Sequence, residues 1–305
     1  MYEAFINSIS NIINNDNIHL NQPMSKHTTF KVGGVADILV EPENVNQLIE
    51  ILSCAKEYNV PYFVMGNGSN LLVGDKGIRG LVIKIANAMS RCEIDGEYIK
   101  AECGIKLSRL ANNALASSLT GLEFASGIPG TLGGAVFMNA GAYGGEMKDI
   151  IKEVKYFDIE KNEVITISGE DCEFGYRHSL FSDLNGVILE ATMKLAYGET
   201  DKIRSVMNDL AARRNEKQPV DKPSAGSTFK RPEGYFAGTM IQDCGLKGYS
   251  IGGAQVSEKH AGFVINTGDA TARDISELIE YVQEKVEEKY GVVLEPEVRF
   301  IGEFQ

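Results

Sequence analysis

The chain has 305 residues, 43% of them hydrophobic and 24% charged, and a formal net charge of −12 with an isoelectric point of about 4.9. That length suits two domains or one large one, with a core that needs no disulfide or metal to hold it together. The acidic balance argues against a nucleic-acid binder and against a peripheral protein held on anionic lipid, and no apolar run is long enough to span a bilayer.

MYEAFINSISNIINNDNIHL opens the chain without a basic region or a long apolar core, so it does not read as a signal peptide. Phe5, Ile6, Ile9, Ile12 and Ile13 share one side of an amphipathic helix. KVGGVADILVEP predicts a strand with a turn at Gly33 and Gly34. Val45, Leu48, Ile49 and Leu52 then space a helix, and PYFVMG and LLVG are short apolar strands on either side of GNGSN. From Gly77 to Ala101 the pattern is strand-like, and LSRLANNALASS reads as a helix. Residues 151–197 return to strands in IKEVKYFDI, EVITIS and GVILEATMKLAY. A helix from Thr200 places Ile203, Val206, Met207 and Leu210 on one face, and the main boundary is expected near residue 198. The last helix starts at a capping box of Thr271 and Asp274, with Ile275, Leu278, Ile279, Val282 and Val286 in period. EPEVRFIGEF ends the chain as a strand that sets Glu297 and Arg299 on one face.

Cysteines 54, 92, 103, 172 and 244 form no CxxC pair and read as reduced, mostly buried thiols of a cytosolic protein. The four histidines have no ligand spacing, so no metal site is expected.

GIPGTLGGAVFMNAGAYG, from Gly127 to Gly144, has six glycines in eighteen residues and is poor helix and poor strand by propensity. Glycines at 127, 130, 133 and 134 let backbone approach a ligand and aim N–H groups at it; a tight crossing of chains uses glycine equally well. GNGSN, from Gly66 to Asn70, is a second loop able to face an anion, and a structural turn is its alternative. It is not a dinucleotide fingerprint, because Leu71 stands where a third glycine belongs. Two such loops fit a ligand with a pyrophosphate. Arg177, in GYRHS, offers a planar fork for a carboxylate, or a surface ion pair. Ser227, in AGSTFKRP, lies in a glycine-flanked turn that is not an esterase elbow. Around it, from Asp201 to Arg231, eight Lys and Arg face four acids, a local excess of +4 that suits an anionic ligand. Edge-strand charge is the plain alternative for Glu297 and Arg299.

In order along the chain, KHTTFKVGG, GNGSNLLV, GIPGTLGGAVFMNAGAYGGE, YRHSLF, AGSTFKRP, CGLKGYSIGGAQVSEKHAGFVIN and LEPEVRFIG resemble the UDP-N-acetylenolpyruvoylglucosamine reductases, from about Lys26 to Gly302. Each motif is weak alone; the ordered set is specific. The resemblance implies an α+β fold. An FAD-binding domain of the vanillyl-alcohol-oxidase (PCMH) type spans 26–198 in two α+β lobes, about 26–85 and 86–198. A lead-in helix at 1–25 precedes it, and a C-terminal α+β substrate-binding domain, 199–305, follows. It implies non-covalent FAD, NADPH as hydride donor, and UDP-N-acetylglucosamine-enolpyruvate as the substrate reduced to UDP-N-acetylmuramate. The protein would be a cytoplasmic monomer without nucleic-acid or membrane partners. Carried over by motif, Arg177, Ser227 and Glu297 are the catalytic residues. Gly66, Asn67, Gly68, Ser69, Asn70 and Leu71 hold the cofactor together with Gly127, Ile128, Gly130, Thr131 and Gly134. Tyr176, Lys217 and Lys230 are candidates for the substrate. The short span from Arg177 to Ser227 resembles the subgroup without an extra clamping loop, and Arg231 stands where many members have asparagine. Two other functions compete with this one. A flavin oxidase of the same fold wants a His or Tyr base at the substrate carbon, which Ser227 does not supply. A non-catalytic nucleotide-sugar sensor would take up no flavin.

Overall fold

The structure is a computed structural model that describes residues 2–85 and 87–304. The chain divides into two compact units. One comprises Met1–His19, Leu39–Asn67 and Gly80–Arg213, the other Leu20–Ile38, Gly68–Arg79 and Arg214–Gln305. Among the described residues no helix is long and apolar enough to cross a membrane.

In the first unit the amphipathic start forms the helix Glu3–Ile9, which buries Phe5 and Ile9. It stops earlier than its apolar spacing implies. The Ser10 hydroxyl donates to the Ile6 carbonyl at 2.8 Å, and a turn carries Ile13 into the core instead. The helix Val45–Glu57 begins at Asn44, whose side chain accepts from Gln47 N. Its buried stripe is Leu48, Ile51, Leu52 and Ala55. The expected stripe through Val45 and Ile49 is only half-buried, because two overlapping apolar stripes exist on this helix and packing selects one. Strands Tyr62–Met65 and Ile78–Lys84 pair in parallel, Tyr62 opposite Leu81.

A five-stranded antiparallel sheet forms the rest of the unit's frame, ordered Glu163–Ser168, Ile151–Asp158, Gly186–Lys194, Tyr98–Glu102, Cys92–Asp95. The helix Leu107–Ala116 buries Leu107, Leu110, Ala111, Ala114 and Leu115. The glycine-rich stretch makes a short helix, Leu132–Phe137, against its propensity. Leu132, Ala135 and Val136 are buried there, so packing overrides the local preference. The helix Thr200–Lys217 departs from expectation in the other direction. Only Ile203 is buried on it, Val206 is 46% exposed, and Met207 and Leu210 are half-buried. Ion pairs between Lys202 and Glu199 (2.7 Å) and between Arg213 and Asp209 (2.9 Å) line this largely solvated helix.

The second unit is organised by the helix Ala272–Tyr290. Thr271 accepts from Asp274 N and Asp274 accepts from Thr271 N, the expected capping box. The predicted stripe, Ile275, Leu278, Ile279, Val282 and Val286, is buried throughout, and Gly291 closes the helix in the left-handed conformation at φ 66°. Around it lie the strands Ser250–Ile251, Ala254–Val256 and Val264–Asn266 and the helix Ala237–Asp243. Two segments remote in sequence complete this core. Phe30 and Val32 join it with Leu72, and the buried Asn266 amide donates to the Phe30 carbonyl at 3.0 Å. The strand Leu71–Val73 pairs in parallel with Arg299–Ile301. The final strand is therefore shorter than its pattern implies, and Glu297 lies ahead of it rather than within it. Phe229 bridges Pro296 there, and a proline can give no ladder N–H.

His260 packs on Phe263 and its Nδ1 accepts from Gly262 N at 3.1 Å, and burial pulls its pKa below the usual imidazole value. The unfolded imidazole takes up its proton near pH 6.5, the folded one at lower pH. The stability this contributes is therefore full above about pH 6.5 and is lost as pH falls through the folded pKa. His260→Asn, which keeps an acceptor for Gly262, should shrink the fall in urea midpoint between about pH 7.5 and pH 5. An undiminished fall would place that titration elsewhere.

Candidate active site

In the first unit Gly66 and Asn67 meet the long glycine loop. Asn67 donates through Nδ2 to the Pro129 carbonyl at 2.6 Å. Gly66 faces Thr131 so closely that a Cβ there would lie 2.2 Å from Thr131 Oγ1. The glycines of the long loop divide between both readings that their spacing allows. Leu132 N and Gly133 N donate to the Ile105 and Cys103 carbonyls, and a Cβ on Gly133 would sit 2.9 Å from Cys103 Cβ. That part is a tight crossing. Gly127 and Gly134 are exposed, Ile128 and Gly130 half-buried, and Thr131 buried, which leaves backbone on the open side for a ligand. Cys103 is itself fully buried, with its thiol pushed up to about 12 by that burial, and so is inert.

Arg177 stands at φ 55° in a turn closed by hydrogen bonds between Gly175 and His178. Its Nη2 donates to the Gly141 carbonyl at 3.4 Å, and its guanidinium lies 5.0 Å from the centroid of the Tyr176 ring. Tyr176 is 53% exposed.

In the second unit the structure brings Ser227 and Glu297 into one hydrogen-bonded frame. Glu297 N donates to the Thr228 carbonyl at 2.8 Å, and Thr228 N donates to Gly262 O at 2.8 Å. The buried Thr228 hydroxyl accepts from Val264 N at 2.9 Å. Ser227 follows Gly226, whose φ of 80° makes the turn, and its hydroxyl donates to the Phe229 carbonyl at 3.3 Å. Asn70 joins the same frame: its Nδ2 donates to Glu297 O at 3.1 Å, and its carbonyl accepts from Arg299 N at 3.0 Å. Leu71 begins the paired strand and is buried, as is Gly68, while Ser69 is half-buried.

The basic residues are less concentrated than their count implies. Lys230 pairs with Glu295, outside the counted window, while Lys217 is exposed at the end of its helix. Arg231 lies 4.0 Å above the ring of Phe236 and donates to the Tyr235 carbonyl at 3.2 Å. Asp75 is a residue that the motifs did not single out. Its carboxylate accepts from Ala272 N (2.8 Å) and Arg273 N (2.9 Å), fastening the loop after GNGSN to the start of the long helix. Its signal in the sequence was only an acid after a glycine.

These residues fit FAD. Open glycine backbone, the Asn67 amide and the Thr131 hydroxyl supply uncharged donors of the kind that a diphosphate requires, and the contact of Gly66 with Thr131 leaves no room for a side chain. Gly66→Val should weaken FAD binding by roughly 10- to 100-fold, the equivalent of 1–3 kcal/mol of overpacking, while circular dichroism stays that of the folded chain. Unchanged flavin occupancy after dialysis would separate Gly66 from the cofactor.

Comparison with known proteins agrees. An FAD binding domain model matches residues 36–168, and the model for the UDP-N-acetylenolpyruvoylglucosamine reductase C-terminal domain matches 218–301. The chain is 50% identical over 303 residues to the UDP-N-acetylenolpyruvoylglucosamine reductase of Caldanaerobacter subterraneus subsp. tengcongensis, covering 99% of this chain and 100% of that one. The crystal structure of UDP-N-acetylenolpyruvylglucosamine reductase from Thermus caldophilus superposes with a TM-score of 0.79 at 34% identity, over 93% of this chain and 97% of that one. An alkyldihydroxyacetonephosphate synthase, 17% identical, matches 65% of this chain and 41% of its own with a TM-score of 0.51, a likeness of fold alone. The chain is thus an α+β protein with the expected type of FAD-binding domain, and it belongs to the UDP-N-acetylenolpyruvoylglucosamine reductase family.

Proposed function

We propose that Arg177, Ser227 and Glu297 carry the NADPH-dependent reduction of the vinyl ether of UDP-N-acetylglucosamine-enolpyruvate to UDP-N-acetylmuramate, a step in making peptidoglycan precursors. FAD, when bound, supplies hydride chemistry that no side chain can. The observation that carries the assignment is the frame joining Ser227 and Glu297 through Thr228, since these residues are far apart in the chain and share no local motif.

The substrate dictates the roles. Its vinyl carbon next to the carboxylate gains negative charge as hydride adds to the terminal carbon, and that charge spreads into the carboxylate. Arg177 is assigned to pair with it, through two N–H groups of one rigid plane. A well-aimed donor of this kind lowers the barrier by roughly 3–4 kcal/mol. Ser227 is assigned to deliver a proton to the same carbon. Its hydroxyl proton now rests on a backbone carbonyl at a long 3.3 Å, a bond weak enough to release it by rotation. Glu297 assists when it holds a proton or orients another donor, because an ionised carboxylate facing this charge would repel it. Lys217 and Tyr176, both exposed, are assigned to the nucleotide sugar. Lys230 serves it only by leaving Glu295. The proposed enzyme acts as a monomer in the cytoplasm, where NADPH and nucleotide sugars are made.

Ser227→Ala separates the two half-reactions. Bleaching of the flavin by NADPH should proceed at nearly the normal rate. Re-oxidation by the enolpyruvyl sugar should slow by about 10²–10⁴-fold, the usual weight of a general acid. Ser227→Cys, with a more acidic proton, should recover part of that loss. Stopped-flow absorbance reads both phases; equal slowing of the two would make Ser227 a shaping residue, and unchanged re-oxidation would remove it from the reaction.

A further inference from the structure

The near end of the turn that presents Arg177 is held by a side chain that the reaction itself does not use. Asn139 is fully buried. Its Nδ2 donates to the Gly175 carbonyl at 2.9 Å and to Glu146 Oε2 at 2.6 Å, and its Oδ1 accepts from Lys148 N at 2.9 Å. Only one orientation of the amide satisfies two acceptors and one donor at once. Its partners are fixed in turn. Glu146 pairs with the Lys148 ammonium at 2.6 Å, and Glu146 N donates to Asp149 Oδ2 at 2.9 Å within a capping box. The far end of the turn is held by the buried Ser179, whose hydroxyl donates to the Phe137 carbonyl at 2.7 Å. Between these anchors Arg177 adopts φ 55°, a left-handed conformation that is strained in a residue other than glycine and persists only where the surroundings impose it. Asn139 itself sits at φ 44°, which asparagine tolerates better than most residues.

We propose that Asn139 is a positioning residue for Arg177: by holding the Gly175 carbonyl it sets the left-handed turn and thereby the direction of the guanidinium. The inference rests on the reading of Arg177 as the donor to the substrate's carboxylate. Aspartate of the same shape cannot replace Asn139 in this role. An ionised carboxylate has no N–H for Gly175 O, and it would face the Glu146 carboxylate at the distance where like charges repel.

The test uses the flavin-loaded full chain and the isosteric substitution Asn139→Asp, alone and combined with Arg177→Lys. In Asn139→Asp, flavin content and reduction by NADPH should stay near wild type, while re-oxidation by the enolpyruvyl sugar slows by roughly 10- to 100-fold, the effect of misplacing a reacting group by about 1 Å. Amide hydrogen exchange in the 175–179 segment should rise while the 151–158 strand keeps its protection. In the double variant, re-oxidation should be no slower than in Arg177→Lys alone. A full rate in Asn139→Asp, beside a damaged Arg177→Lys, overturns the proposal, and so does a double variant in which the two losses multiply as independent effects. A full rate in Arg177→Lys overturns instead the role given to Arg177, and this inference with it. If aspartate at 139 prevents folding, Ser179→Ala, which frees the other end of the turn, must show the same pattern, and a full rate there is equally contrary.

Discussion

Much of the second unit's site depends on the short parallel pairing of Leu71–Val73 with Arg299–Ile301. Three rungs of ladder would be marginal in isolation. They hold because Leu72 and Val73 are fully buried and because Asn70 continues the pairing past its end, accepting from Arg299 N and donating to the Glu297 carbonyl. The end of the glycine loop is thereby tied to the segment that carries Glu297. From there one backbone hydrogen bond reaches Thr228, the neighbour of Ser227. Each such bond contributes only about 1 kcal/mol net. What they supply together is geometry, since none of these residues can shift without disturbing the next.

The same economy governs Arg177. A guanidinium on a flexible stem is poorly placed by charge alone, and its direction must come from the backbone beneath it. That backbone is strained at Arg177 itself and is anchored at both ends of the turn, by Asn139 and by Ser179. Strain at a residue proposed for catalysis, supported by buried polar groups that are themselves hydrogen-bonded, is the arrangement expected where orientation matters more than stability.

The long helix Ala272–Tyr290 was legible in full, because its cap and its apolar period agree and packing adds nothing that contradicts them. The helix Val45–Glu57 was legible as a helix but not in its buried face, since its sequence offers two stripes. Thr200–Lys217 is legible as a helix with one apolar face, but of that face Ile203 alone is buried, the rest being left to solvent. The glycine-rich stretch hides a helical turn whose support lies at Cys103 and Ile105, far from it in the chain. Residues 20–38 and 68–79 cluster with the C-terminal segment, through contacts such as Asn266 with Phe30 that no local pattern announces. The roles of Ser227 and Glu297 came from resemblance to a family rather than from spacing. Asn139 and Asp75 were invisible in sequence, because a buried amide and a capping carboxylate look like ordinary loop residues until their partners are placed.

One ordered transfer of electrons distinguishes this enzyme from a protein of the same fold without the activity. The purified chain, kept free of oxygen, should carry a flavin that one equivalent of NADPH bleaches. One equivalent of UDP-N-acetylglucosamine-enolpyruvate should then restore the colour, with UDP-N-acetylmuramate formed in matching amount. A colourless protein that takes up no FAD, or a bleached flavin that the enolpyruvyl sugar leaves bleached, would contradict it.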